Sequence, residues 1–67
     1  MVKQYGYEIR EKGTEFLAGD DGGIYFYTEE SAMESAKRYT LNFLIPDEYN
    51  GEKTLDDFDI TIQEISE

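Results

Sequence analysis

The chain has 67 residues, no Cys and no His, and sixteen Asp and Glu against six Lys and Arg, a formal charge of −10. That composition excludes a disulfide staple and the usual Cys/His zinc and iron–sulfur sites. It also excludes direct nucleic-acid binding, which needs Lys and Arg to neutralise phosphates. The charge is uneven: residues 1–46 hold eight acids and five bases, whereas 47–67 hold eight acids and Lys53 alone.

A chain this short allows one domain, 1–67, with one small core, because only about 60% of the unfolded surface is buried at such a size. Six Tyr and four Phe in alternating segments argue for a folded chain, since disordered acidic chains are poor in aromatics. No stretch approaches the roughly 20 apolar residues of a membrane span, and the N-terminus lacks a charged start followed by an apolar run. The expected location is the cytoplasm.

From Val2 to Arg10 the pattern alternates, with Lys3, Tyr5, Tyr7 and Ile9 on one face and Gln4, Gly6, Glu8 and Arg10 on the other. Period two with Tyr and Ile predicts a half-buried strand over 2–10. Glu11-Lys12-Gly13-Thr14 supplies a turn. The apolar piece Phe16-Leu17-Ala18 reads as a brief strand or a packed loop. Asp20-Asp21-Gly22-Gly23 is the strongest turn signal in the chain, and a strand is predicted over 24–28.

Thr28 is placed as a helix N-cap, with Glu29 and Glu30 in the first turn where the helix dipole favours negative charge. Ala32, Ala36, Tyr39 and Phe43 recur at helical spacing, flanked by Met33, Thr40 and Leu44. Glu34 pairs with Arg38 one turn on, and Pro46 is expected to stop the helix near Leu44 or Ile45. Residues 46–57 read as a solvated connection around Asn50-Gly51. Phe58, Ile60 and Ile62 then alternate with Asp59, Thr61 and Gln63, predicting a last strand over 58–65.

The order strand, strand, helix, strand (ββαβ) predicts a small α+β fold, with one amphipathic helix laid on an antiparallel sheet of three main strands. The last strand is expected to pair antiparallel with the first. Were 15–18 a full strand, the last would have to run parallel to a neighbour. The expected core joins the helical stripe to Tyr5, Tyr7, Ile9, Ile24, Phe26, Phe58, Ile60 and Ile62.

Few residues suggest chemistry. The pairs Asp20-Asp21, Asp47-Glu48 and Asp56-Asp57 are sequence neighbours that point apart on extended chain, whereas glycoside hydrolysis needs two carboxyls across a cleft. Gly19-Asp20-Asp21-Gly22-Gly23 lacks the spaced ligands of a calcium hand, and no Gly-Lys-Ser/Thr follows to make a phosphate loop. Ser31, Ser35 and Ser66 have no histidine base. No enzyme activity, metal or cofactor is expected. If Ile24 and Phe26 face the helix, alternation puts Tyr25 and Tyr27 on the opposite face with Gln4, Glu8, Asp59, Thr61 and Gln63, an acidic surface carrying tyrosines suited to recognition. Alternatively, the two rings merely pair across strands. Met33, Leu41 and Ile45 are either leftover core or a patch for a weak homodimer.

The acidic run Asp47, Glu48, Glu52, Asp56, Asp57 and Asp59, together with Glu8, Glu29, Glu30 and Glu34 on a tiny Cys-free chain, resembles the small inhibitors encoded by phages and mobile elements, including anti-CRISPR proteins and DNA mimics. The likeness is one of size and charge. Tyr25-Phe26-Tyr27-Thr28-Glu29-Glu30-Ser31-Ala32 also resembles the strand-to-helix junction of small strand–strand–helix domains. The first resemblance implies a non-enzymatic inhibitor that occupies a basic nucleic-acid-binding site, for an anti-CRISPR protein that of a Cas effector. The expected partner-binding residues are Tyr25, Tyr27, Glu8, Asp47, Glu48, Glu52, Asp56, Asp57 and Asp59. The alternative is an assembly module acting by self-association or strand-edge pairing, with the acids serving solubility.

Overall fold

The computed structural model describes residues 3–66. Val2, where the first strand is expected to begin, lies outside them. Strand β1 (Lys3–Glu11) is the centre of a three-stranded antiparallel sheet, flanked by β2 (Leu17–Asp20) on one side and β3 (Phe58–Ser66) on the other. Helix α1 (Glu29–Tyr39) packs on one face and continues as a wider, π-helical segment over Thr40–Glu48. The expected α+β class and the antiparallel pairing of first and last strands are both present.

The second strand is not where the alternation at 24–28 places it. Glu11-Lys12-Gly13-Thr14 makes the hairpin, and 17–20 pairs with β1 through Glu8↔Asp20 and Ile9↔Gly19, with a register shift between Ile9 and Arg10. Asp20-Asp21-Gly22-Gly23 does not reverse the chain. It carries it away from β1 and back to the same edge, where Phe26 makes a single bridge to Tyr5. Ile24 is left 67% exposed instead of entering the core. Because 17–20 and Phe26 run along one edge in one direction, no parallel pairing of β3 is required.

The Asp21 side chain holds this excursion in place. The backbone N–H of Tyr7 donates to Asp21 Oδ2 at 2.9 Å and that of Gly23 to Oδ1 at 2.8 Å, so one carboxylate satisfies donors that a continuous strand would have met. The carboxylate lies over Gly6, and a Cβ at position 6 would fall on Asp21 Oδ2.

Thr28 caps α1 as expected, its hydroxyl accepting from the Ser31 N–H at 3.0 Å, and Arg38 pairs with Glu34 at 3.6 Å. The expected stop at Pro46 does not occur. In an α-helix the proline ring would clash with the carbonyl four residues back, but i→i+5 bonding widens the turn and lets Pro46 sit inside it. The change begins at the buried Thr40, whose hydroxyl donates to the Ala36 carbonyl at 2.8 Å.

The wider turn also resets the buried face. A four-residue step drifts about 40° around an α-helix, yet Ala32, Ala36, Thr40 and Leu44, each four apart, are all buried, with Ile45 beside Leu44. Tyr39 and Phe43, expected in the core, stack on each other at 5.9 Å and stay 37% and 56% exposed. Met33 is half-buried and Leu41 exposed. The core is Tyr7, Ile9, Ala36, Leu44, Ile45 and Phe58, with Ala18, Phe26, Tyr49, Ile60 and Ile62 packed against it. The segment read as a solvated connection holds more structure than expected. It contains the end of the helix, the half-buried Tyr49, and a 3-10 turn over Leu55–Asp57.

Candidate partner-binding surface

The face of the sheet turned away from α1 carries no covering element among the described residues, and alternation places Glu8, Arg10, Asp20, Asp59, Thr61 and Gln63 on it. Asp21 adds a further carboxylate over Gly6. Arg10 is the one cation among these, and it is engaged: its guanidinium meets Glu8 Oε1 at 3.2 Å and donates to the Glu15 carbonyl at 3.1 Å. Glu8 and Asp59 therefore share a face as expected, beside an arginine already committed to Glu8.

The acidic run gathers at the end of the sheet where β3 begins, with only Asp59 on this open face, because Asp47 and Glu48 belong to the helix layer on the other side. Asp47 and Glu48 close the helix, Glu52 follows in the turn after it, Asp56 and Asp57 form the 3-10 turn, and Asp59 opens β3. Asp47, Glu48, Glu52, Asp56 and Asp59 are exposed and have no ion-pair partner among the described residues. Asp57 is different. Its half-buried carboxylate accepts from the Thr54 N–H at 2.9 Å and the Thr54 hydroxyl at 3.4 Å, closing a capping box. The hydrogen bond from the Thr54 backbone holds its carboxyl below the usual aspartate value, with Lys53 and Lys12 adding to the effect against the cost of burial. Asp57 thus has a structural task beyond the partner-binding one expected of it.

Tyr25 and Tyr27 sit at the other end. They flank Phe26, which bridges to Tyr5 and stacks on Tyr7 at 6.2 Å, and they are 44% and 73% exposed. Tyr5 and Glu11 are six residues apart on β1, a rise of about 20 Å in a strand. The tyrosines and the acidic run therefore do not form one patch, and only a partner reaching along the sheet contacts both.

Glu11 and Tyr49 were missed in the sequence reading. The Tyr49 hydroxyl donates to Glu11 Oε2 at 2.9 Å across 38 residues of sequence, and Lys53 approaches Glu11 Oε1 at 3.9 Å while lying 6.0 Å from the Tyr49 ring centroid. Burial, followed by the contact with the Glu11 carboxylate, raises the Tyr49 phenol above its ordinary value. The four-residue step from Ile45 to Tyr49 is the signal that the helix runs on through Pro46. These residues border a groove of about 460 Å³, lined by Glu11, Phe16, Ala18, Leu44, Glu48 and Tyr49. Its lining is mixed, with Phe16, Ala18, Leu44 and Tyr49 beside the two carboxylates Glu11 and Glu48.

Tyr7 is the other perturbed phenol. Burial raises it, the Ser35 hydroxyl opposes that shift, and Asp21, Tyr39 and Asp20 reinforce it. No group of three or more Asp and Glu among the described residues is arranged to hold a metal ion, and no described helix is long and apolar enough to cross a membrane. In comparisons with known proteins, no family model, no curated protein and no solved structure matches this chain.

Proposed function

We propose that this chain is a non-enzymatic inhibitor that acts in the cytoplasm by placing its carboxylates in a basic nucleic-acid-binding site of a partner protein, as anti-CRISPR proteins and DNA mimics of phages do. The observation that carries the reading is the set of five exposed carboxylates, Asp47, Glu48, Glu52, Asp56 and Asp59, without an ion-pair partner among the described residues, gathered at the end of the molecule where β3 begins. Arg makes bidentate hydrogen bonds to carboxylate and phosphate alike, so such a set competes for the same guanidinium groups.

Charge density supports the same reading. The molecule measures 42 × 21 × 17 Å. A formal charge of −10 along its length is about one negative charge per 4 Å, close to the one per about 3.4 Å of a single nucleic-acid strand. A Cas effector is one partner of this chemistry. Tyr25 and Tyr27, at the far end, supply a second contact whose rings are desolvated on binding. Like-charge repulsion keeps the free chain monomeric or weakly dimeric.

The test is binding to the partner recovered from the source cell. Changing Asp47, Glu48, Glu52, Asp56 and Asp59 to Asn or Gln, with Asp57 kept, should weaken binding at least about a hundredfold if the charges oppose Arg or Lys. It should leave the circular dichroism spectrum unchanged. Unchanged affinity would contradict the reading.

A further inference from the structure

The sheet has two outer edges, and they differ. The β2 edge is four residues long, carries a register shift, and is continued only by the excursion through Asp21 and the single Phe26 bridge. The β3 edge is nine residues long and pairs with β1 in unbroken register from Phe58 to Ser66. It contains no Lys, no Pro and no bulge, three of the devices by which soluble proteins blunt an edge against strand addition, and its charges are the acids Asp59 and Glu64.

The direction of its backbone groups follows from the pairing. Tyr5 and Tyr7 turn their N–H groups toward Phe26 and Asp21, at 2.7 and 2.9 Å, so Gln4, Gly6, Glu8 and Arg10 turn theirs toward β3. In an antiparallel ladder Asp59, Thr61 and Gln63 then exchange hydrogen bonds with β1. Ile60 and Ile62, opposite Ile9 and Tyr7, point N–H and C=O outward. Neither residue has another backbone or side-chain hydrogen bond among the described residues. Both isoleucines are half-buried at the margin of the core, so an apolar side chain beside them would extend it.

We propose that the outer edge of β3 takes up an extended segment of the partner as a fourth strand. That segment carries apolar side chains toward α1 and Lys or Arg on the opposite face. The inference rests on the basic-partner reading above and names the surface used. Main-chain bonds from Ile60 and Ile62 fix the segment, and its basic side chains meet Asp59 and the acidic open face beyond it. A second copy of this chain is the poorer occupant, because it brings a further −10 against the same face.

The probe is a synthetic peptide of alternating Lys and Val, nine residues long to match β3, added to the whole chain and followed by amide hydrogen exchange. The Ile60 and Ile62 amides should exchange fast in the free protein and slow by at least about tenfold with peptide, while Thr61 and Gln63 are slow in both. Ile62→Pro, which removes one outward donor without removing a β1 bond, should weaken peptide binding; should it fail to fold, the exchange measurement on the unsubstituted chain decides. Peptide binding that leaves Ile60 and Ile62 unprotected overturns strand addition and leaves the charge reading standing. So does binding of spermine, a cation with no strand backbone, in the absence of any peptide binding. Binding of neither removes both readings. Protection of the two amides that grows with protein concentration alone assigns the edge to a second copy and overturns the proposal.

Discussion

Gly6→Ala puts a methyl group where the Asp21 carboxylate lies, and the cost can be worked from what that carboxylate holds. Expelling it breaks the bonds from the Tyr7 and Gly23 N–H groups at 2.9 and 2.8 Å. A hydrogen bond to a charged group contributes about 1.5–3 kcal/mol, and the lower end applies to the half-exposed Asp21, giving about 3 kcal/mol for the pair. Alanine returns about 0.5–1 kcal/mol in a strand, so the net loss is about 2 kcal/mol. A domain of this size holds roughly 3–10 kcal/mol in all, and its Tm should fall by about 8–16 °C. Urea and thermal unfolding followed by circular dichroism measure both. In an Asp21→Ala background the same Gly6→Ala change meets no carboxylate, only the end of the Ile65 side chain at 3.3 Å, and should cost markedly less than in the unsubstituted chain. Equal cost in the two backgrounds, or no cost in either, would refute the account of the excursion.

Three further outcomes are expected. Thr28→Ala removes the cap on the Ser31 N–H and should cost about 1 kcal/mol in urea unfolding. Tyr7 and Tyr49 have folded values raised above the ordinary 10.0, so the stability they contribute is complete below that pH and is lost as pH rises through their folded values; phenolate absorbance should show two tyrosines titrating late. Asp57 is depressed, so its contribution is present above the ordinary aspartate value and is lost as pH falls through the lowered one. Asp57→Asn should therefore flatten the acid limb of the stability profile.

What the sequence disclosed follows from how local each signal is. The alternation of Tyr5, Tyr7 and Ile9 against Glu8 and Arg10, the Thr28 cap and the Phe58-Ile60-Ile62 run are settled by neighbours a few residues away, and each stands as read. The second strand depends on a distant contact. Ile24-Tyr25-Phe26-Tyr27 has the better strand composition, but the bond from the Tyr7 N–H to Asp21 decides where the chain leaves β1, and that pairing spans 14 residues. Pro46 misled for a similar reason, because its effect depends on whether the turn around it is α or π, and the change of turn begins six residues earlier at Thr40. The acidic run was legible as composition. Its separation from Tyr25 and Tyr27 was not, since it comes from sheet register, and neither was the open edge of β3, which comes from strand order.

The central claim is that carboxylates of this chain stand in for phosphates in a partner's basic site. Its most direct measurement is affinity for the recovered partner between 0.1 M and about 1 M salt, over which the screening length falls from about 10 to 3 Å, with a nucleic acid that the partner binds added as competitor. The account predicts a steep loss of affinity with salt and mutual exclusion of chain and nucleic acid. Equal affinity at both salt concentrations, with chain and nucleic acid bound to the partner together, would contradict it.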